Sequence, residues 1–109
     1  MFVNGYRCMW IITMFDLPTD TKKSRKEYGL FRKHLLEDGF TMMQFSVYAR
    51  HCASKENAQV HIDRVKQHLP PDGEVRIISV TDKQFERMSV FLGKKRKLPQ
   101  RAPCQLELF

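Results

Sequence analysis

The stretch that decides the fold is Cys8-Met-Trp-Ile-Ile-Thr-Met-Phe-Asp16, which is followed by Leu17-Pro18. Its β-branched and aromatic residues predict a strand, and the proline ends it because proline cannot donate to a sheet ladder. Apolar side chains occur in both phases of the strand, so both faces of its sheet are predicted to be apolar. Such a sheet needs a cover on each face.

The rest of the chain alternates helices and strands. The predicted elements are a helix over 22–38 capped by Thr19 or Asp20, a β-rich stretch over 40–50 that would split near 44–46, a helix over 54–69, a strand over 74–81, a helical turn over 83–88 and an edge strand over 89–92. This order favours an α+β fold, a ferredoxin-like βαββαβ plait with two helices on one face. Residues 105–109 alternate like a C-terminal extra strand.

The domain organisation follows from this order. We predict a ferredoxin-like domain over 1–93, and a basic linker with the C-terminal strand over 94–109. Two helices cover only one face of the sheet, so the other face predicts a homodimer with the sheets face to face. The C-terminal strand would then pack on the dimer and add to the partner's sheet.

Composition narrows the class of protein. The chain has 109 residues, with 19 Lys and Arg against 12 Asp and Glu, which gives a net charge of +7. This excess suggests a nucleic-acid partner, although it would also serve solubility alone. No apolar run approaches the roughly 20 residues of a membrane span, so no membrane partner is expected. Three cysteines, an odd number, predict reduced thiols and a cytoplasmic location.

Asp16 is the first candidate for chemistry. It is in phase with Trp10, Ile12 and Met14, so a twofold axis on that face would bring it near its symmetry mate. Two adjacent carboxylates suit a hard cation such as Mg²⁺, which would activate water for phosphodiester hydrolysis. The alternative is that Asp16 only makes an Asx-turn into Leu17-Pro18.

Basic and aromatic residues are the second set of candidates. One face of the first helix is basic, with a single acid, Glu27, between its first and last lysine; this face comprises Lys22, Arg25, Lys26, Arg32 and Lys33. It would bind phosphates along a duplex, or would only be a solvated helix face. The run Lys94, Lys95, Arg96 and Lys97 is either a phosphate contact or a flexible linker. Phe40, Phe45 and Tyr48 would stack on bases or belong to the core.

Three motifs together resemble one known family. They are Met14-Phe-Asp-Leu-Pro18, then Gly39-Phe40 followed by Gln44-Phe-Ser-Val-Tyr48, and the strand Val75-Arg-Ile-Ile-Ser-Val-Thr81. Their order and spacing resemble CRISPR-associated protein 2 over nearly the whole chain. The closing Gln105-Leu-Glu-Leu-Phe109 is similar to members that accompany single-effector nucleases of type II systems.

The resemblance implies a ferredoxin-like homodimer that works in spacer acquisition. Such a dimer would bridge two dimers of the integrase, CRISPR-associated protein 1, and hold double-stranded DNA. Several members of the family are magnesium-dependent nucleases on RNA or DNA, and their catalytic aspartate corresponds to Asp16. Arg25 is the most plausible phosphate contact on the helix. A stand-alone toxin-type ribonuclease of the same fold is the alternative function.

Overall fold

The structure, a computed structural model, describes residues 8–97, with the backbone alone described for the last three. The predicted strand over 105–109 and its packing on a dimer lie outside these residues. The elements are β1 (Met9–Asp16), α1 (Lys22–Glu37), β2 (Thr41–Gln44), β3 (Val47–Cys52), α2 (Lys55–Gln67), β4 (Glu74–Thr81), α3 (Asp82–Glu86), β5 (Val90–Leu92) and β6 (Lys95–Lys97).

The main sheet has four antiparallel strands in the order β2-β3-β1-β4, which places β1 at its centre. This order, with α1 and α2 connecting the strands, confirms the predicted α+β ferredoxin-like fold. β1 pairs along its whole length with β4, from Met9 opposite Thr81 to Asp16 opposite Glu74. That register decides which residues surround the carboxylate at the end of β1.

The main core lies between the sheet and the two long helices. One phase of β1 supplies Met9, Ile11 and Phe15, and α1 supplies Phe31 and Leu35. Phe15 contacts Phe31 edge-on, with ring centroids 5.0 Å apart. Each such buried side chain contributes about 1.5–3 kcal/mol, so packing of the amphipathic faces holds the helices on the sheet.

The second face of the sheet is partly covered by the chain itself. Phe85 of α3 stacks on Trp10 at 4.0 Å between nearly parallel rings, and both residues are buried. Ile12 and Met14 are only half-buried further along β1, and Ile78 of β4 is 48% exposed. The sequence predicts the helical turn that corresponds to α3 but not its packing on this face, because a five-residue helix has too little periodicity to predict its apolar side. Dimerisation through the uncovered part remains a prediction.

One local feature differs from the sequence-based predictions, and two agree with them. Thr21, rather than Thr19 or Asp20, caps α1, because its side chain and that of Ser24 form a reciprocal capping box. Ser54 caps α2 as predicted. The stretch over 40–50 is two strands, with Ser46 at φ 62° in the turn between them.

The cysteines also differ from the prediction of three reduced thiols. Cys8 is disulfide-bonded, whereas Cys52 is a buried free thiol. An odd count allows one disulfide beside one free thiol, so the count did not exclude this arrangement. Burial raises the pKa of Cys52, which makes its thiol a poor nucleophile.

The basic run after β5 is a strand rather than a flexible linker, at least over Lys95–Lys97. β5 and β6 form a separate two-stranded antiparallel hairpin, in which Leu92 pairs with Lys95. Gly93 makes the tight connection at φ 63°, a conformation that glycine adopts without steric cost. Among residues 8–97, no helix combines the length and apolar character needed to cross a bilayer.

Candidate functional site

Asp16 closes β1 with its side chain exposed, directly after the buried Phe15. Side chains alternate along a strand, so Asp16 lies on the face opposite to the helices, the same face as Met14. Its neighbour Leu17 is buried and anchors the turn that follows. Asp16 therefore lies at the end of the apolar strand, on the same face as Met14, as its phase predicts, and its catalytic role remains a prediction.

Two charged residues of β4 share this end of the open face. Glu74 pairs directly with Asp16, and Arg76 pairs with Met14. The Nε atom of Arg76 donates to Oε1 of Glu74 at 2.9 Å, and this hydrogen bond raises the pKa of the guanidinium. No ion pair joins Asp16 to another described residue. The sequence did not indicate this pair, because the β1–β4 register depends on the turn before β4.

The basic face of α1 is exposed as predicted. Its five cations form no ion pair within the described part of the chain; they are Lys22, Arg25, Lys26, Arg32 and Lys33. Arg25 donates from Nη1 to the carbonyl of Thr19 at 3.2 Å, and its other donors form no hydrogen bond within residues 8–97. A face of one sign without compensating acids is suited to an anion rather than to solvation alone.

Arg32 also makes a contact that stabilises the fold. Its Nε atom donates to the hydroxyl of Tyr48 at 2.6 Å, and Tyr48 is 1% exposed. This contact satisfies a buried hydroxyl that would otherwise cost about 1–3 kcal/mol. Arg32 is therefore partly committed to the fold, and Arg25 is held at Thr19, whereas the three lysines of the basic face form no ion pair within residues 8–97.

The remaining predicted residues divide into buried and exposed ones. Phe40 and Tyr48 are buried, so for these two the core alternative holds. Phe45 is 80% exposed in the β2–β3 turn. Lys94 is exposed at the tip of the β5–β6 hairpin, and the side chains of Lys95, Arg96 and Lys97 lie outside the description.

A cluster around Asp38 was not indicated by the sequence. Its carboxylate accepts from Nδ1 of the buried His61 at 2.7 Å and from Nη1 of Arg64 at 2.8 Å. Its backbone carbonyl accepts from Nε of Arg50 at 2.7 Å. Because Asp38 thereby ties α1 to α2 and β3, the cluster is a structural link, and its partners are too distant in sequence for a motif to reveal.

Cys8, His51 and Asp82 also converge. Each offers one potential ligand atom, and these atoms lie within 4.8 Å of one another. Cys8 is disulfide-bonded, so only an imidazole and a carboxylate are left as donors. Zinc sites need three or four protein ligands, and this group therefore does not supply one.

The fold and the site together define a class: a ferredoxin-like protein with an exposed carboxylate at the end of its central strand and a basic first helix. Residues 9–88 match the family described as CRISPR associated protein Cas2. The chain belongs to this family, as its motifs predicted.

Individual relatives agree with the family match. A CRISPR-associated endoribonuclease Cas2 of Parvibaculum lavamentivorans is 61% identical over 101 residues, which cover 93% of this chain and 100% of that protein. Proteins of the same name from Flavobacterium psychrophilum and Paracidovorax avenae are 51% and 48% identical, and each alignment covers 98% of this chain. They cover 93% and 99% of those two proteins.

Proposed function

We propose that this protein is a metal-dependent endoribonuclease of a CRISPR system, in which Asp16 is the catalytic carboxylate. The observation that carries the proposal is the exposure of Asp16, without an ion-pair partner among the described residues, at the end of a buried strand. The name endoribonuclease, borne by the relatives, supports the choice of RNA as substrate. We propose a cytoplasmic location for this activity.

The donors around Asp16 fit Mg²⁺. Magnesium is usually held by one or two carboxylates together with substrate phosphates, and it keeps several waters. Asp16 supplies one carboxylate, and Glu74 stands opposite it in the strand register. Because Glu74 is already paired with Arg76, Asp16 would be the principal ligand. When bound, Mg²⁺ would polarise a phosphate oxygen and make an attacking water more acidic.

The chain's own residues would position the RNA. Arg25 is held at Thr19 with donors to spare, and a guanidinium matches two phosphate oxygens at once. Lys22, Lys26 and Lys33 extend the basic surface along α1. These side chains would bind the backbone without reading its sequence.

A homodimer would complete the site. The uncovered part of the second face contains Ile12, Met14 and the half-exposed Ile78; Ile12 pairs with Ile78, and Met14 lies two residues before Asp16. A second copy packed on this face would bury apolar area and bring two Asp16 carboxylates toward one axis. Mutual repulsion of the two carboxylates would then favour a divalent cation between them.

A second candidate function is a DNA-binding scaffold in spacer acquisition, bridging dimers of the integrase, CRISPR-associated protein 1. The uncompensated basic face of α1 favours it, because duplex binding needs cations and no catalytic group. Membership of the Cas2 family supports a CRISPR role over the toxin-type alternative. The association with a type II effector remains a prediction.

The first experiment measures cleavage of single-stranded RNA with Mg²⁺ and with EDTA. We expect cleavage by the wild type in Mg²⁺ only, and at least about a hundredfold loss in Asp16→Asn, since a metal ligand is removed. The matched control is Asp63→Asn, which removes an exposed carboxylate on α2. Equal activity of Asp16→Asn and wild type would contradict the proposal. If the wild type cleaves no RNA and Asp16→Asn still supports spacer integration, the scaffold function is favoured.

A further inference from the structure

Phe45 carries an exposed aromatic ring that is not part of the buried core. It is 80% exposed, whereas the other aromatic residues of this stretch, Phe40 and Tyr48, are buried. Leaving a phenylalanine in water forgoes the roughly 1.5–3 kcal/mol that its burial would contribute. A lone exposed apolar residue is common, so a functional role for Phe45 has to be argued from the residues that surround it.

Those surroundings hold the ring in place. Phe45 stacks on Tyr28 of α1 with centroids 6.1 Å apart and 19° between the ring planes. The Tyr28 ring contacts Phe15 of the core at 5.8 Å. The three rings form a continuous series from the core to the surface, so Phe45 is supported from beneath.

The turn that presents Phe45 is also held by specific bonds. Ser46 adopts φ 62°, which costs a non-glycine residue about 1 kcal/mol. Its carbonyl accepts from the backbone of Phe15 at 3.0 Å, and its hydroxyl contacts that of Tyr28 at 3.2 Å. This turn is therefore attached to the end of β1, one residue before Asp16.

Cations lie on both sides of the ring pair. Arg25 and Arg32 are three residues before and four residues after Tyr28, so the three side chains share one stripe of α1. Because Arg32 already donates to Tyr48, Arg25 is the group available to a phosphate, and a stacking ring beside such a cation is the arrangement by which proteins hold single strands. The bases of a duplex have no free face, so only an unpaired base would reach Phe45.

We infer that Phe45, supported by Tyr28, is a stacking platform for an unpaired base of single-stranded RNA. The inference rests on the proposed function and adds a base-binding residue to that site. Arg25 would bind the adjacent phosphate, and the backbone would run from this turn toward Asp16. Loss of the Phe45 ring would consequently weaken the binding of a single strand more than that of a duplex of the same sequence.

The test is binding of a fluorescein-labelled RNA 12-mer, single-stranded or paired with its complement, measured by anisotropy in EDTA to prevent metal-dependent cleavage. Phe45→Ala should weaken single-strand binding by about tenfold and duplex binding by less than about twofold. Phe45→Leu should bind the single strand nearly as weakly as Phe45→Ala, because leucine is apolar but has no ring. Phe45→Trp should retain binding of the single strand. Phe91→Ala is the matched control, since Phe91 is 58% exposed on β5.

A second readout follows the ring itself. In Phe45→Trp, the emission of the new exposed indole should be quenched by the single strand and not by the duplex, above the constant signal of the buried Trp10. Unchanged single-strand binding by Phe45→Ala would overturn the stacking role and leave the proposed function standing. Equal weakening for both RNAs, or a changed molecular mass of Phe45→Ala, would also overturn it. A wild type that binds no RNA would overturn the proposed function and this inference together.

Discussion

The backbone of Gly73 lies against the backbone of Asp16: a β-carbon built on Gly73 would stand 2.7 Å from the carbonyl oxygen of Asp16. It would also meet the Leu17 side chain at 2.6 Å, and Gly73 has φ 98°. The turn before β4 therefore fixes the position of the candidate catalytic residue through a contact that only glycine allows.

Gly73→Ala is expected to disturb the site and the fold. Both the steric contact with a backbone oxygen and the positive φ oppose a side chain, so unfolding in urea should show a loss of about 2 kcal/mol. RNA cleavage should fall with it, because the end of β1 is displaced. The matched control is Gly29→Ala in α1, where a β-carbon meets nothing within 4 Å. This control should stabilise the protein by about 0.5–1 kcal/mol; a similar loss in both variants would refute the explanation.

The Asp38 cluster makes stability depend on pH. Burial acts to raise the pKa of Asp38, but the hydrogen bonds and charges of His61 and Arg64 act the other way, and the net pKa lies below its usual value. The ionised carboxylate therefore stabilises the fold above the unfolded-state pKa of about 3.9. This contribution is lost as the pH falls from that range through the lower folded-state pKa.

Asp38→Asn should remove this pH dependence. At pH 7 we expect a loss of about 1–3 kcal/mol in the free energy of unfolding, because a charged hydrogen bond to the buried His61 is removed. Urea unfolding between about pH 2 and pH 7 should show a smaller acid destabilisation in the variant than in the wild type. Asp63→Asn, which removes a carboxylate hydrogen-bonded to the side chain of Gln59, is the control. Parallel pH curves for Asp38→Asn and the wild type would contradict the role of the cluster.

The cations of α1 should act through salt-dependent binding. Arg25→Ala is expected to weaken RNA and DNA binding regardless of sequence, and to reduce the slope of log K against log salt by about one. Lys66→Ala on α2 removes one exposed charge outside this face and should change the slope little. The measurement is anisotropy at increasing salt. A slope that is identical in Arg25→Ala and the wild type would exclude this residue from the interface.

Much of the fold could be predicted because β1 and the two long helices carry strong periodic signals. The position of Asp16 at the end of β1 and its face of the sheet followed from its phase in β1 and from the proline two residues later. By contrast, the pairing of Asp16 with Glu74 depends on register, which a turn geometry sets. The cover by Phe85 was missed because α3 is only five residues long.

Two segments depend on local backbone geometry. The charge of residues 94–97 predicts a phosphate contact or a linker. The structure shows a hairpin instead of the linker, because Gly93 at φ 63° allows Lys95–Lys97 to pair with β5, and the phosphate contact remains a prediction. Phe45 could not be distinguished from Phe40 by residue type, since burial depends on which way the β2–β3 turn faces. These outcomes depend on single backbone angles, which composition does not encode.

The central claim is that Asp16 works at a site shared by two copies of the chain. The most direct measurement is the molecular mass by sedimentation equilibrium, at the protein concentration where RNA is cleaved, for the wild type and for Ile78→Asp. We predict a dimer for the wild type, and a folded, inactive monomer for Ile78→Asp, because a charge would enter the apolar part of the open face. A wild type that cleaves RNA as a monomer would contradict the claim.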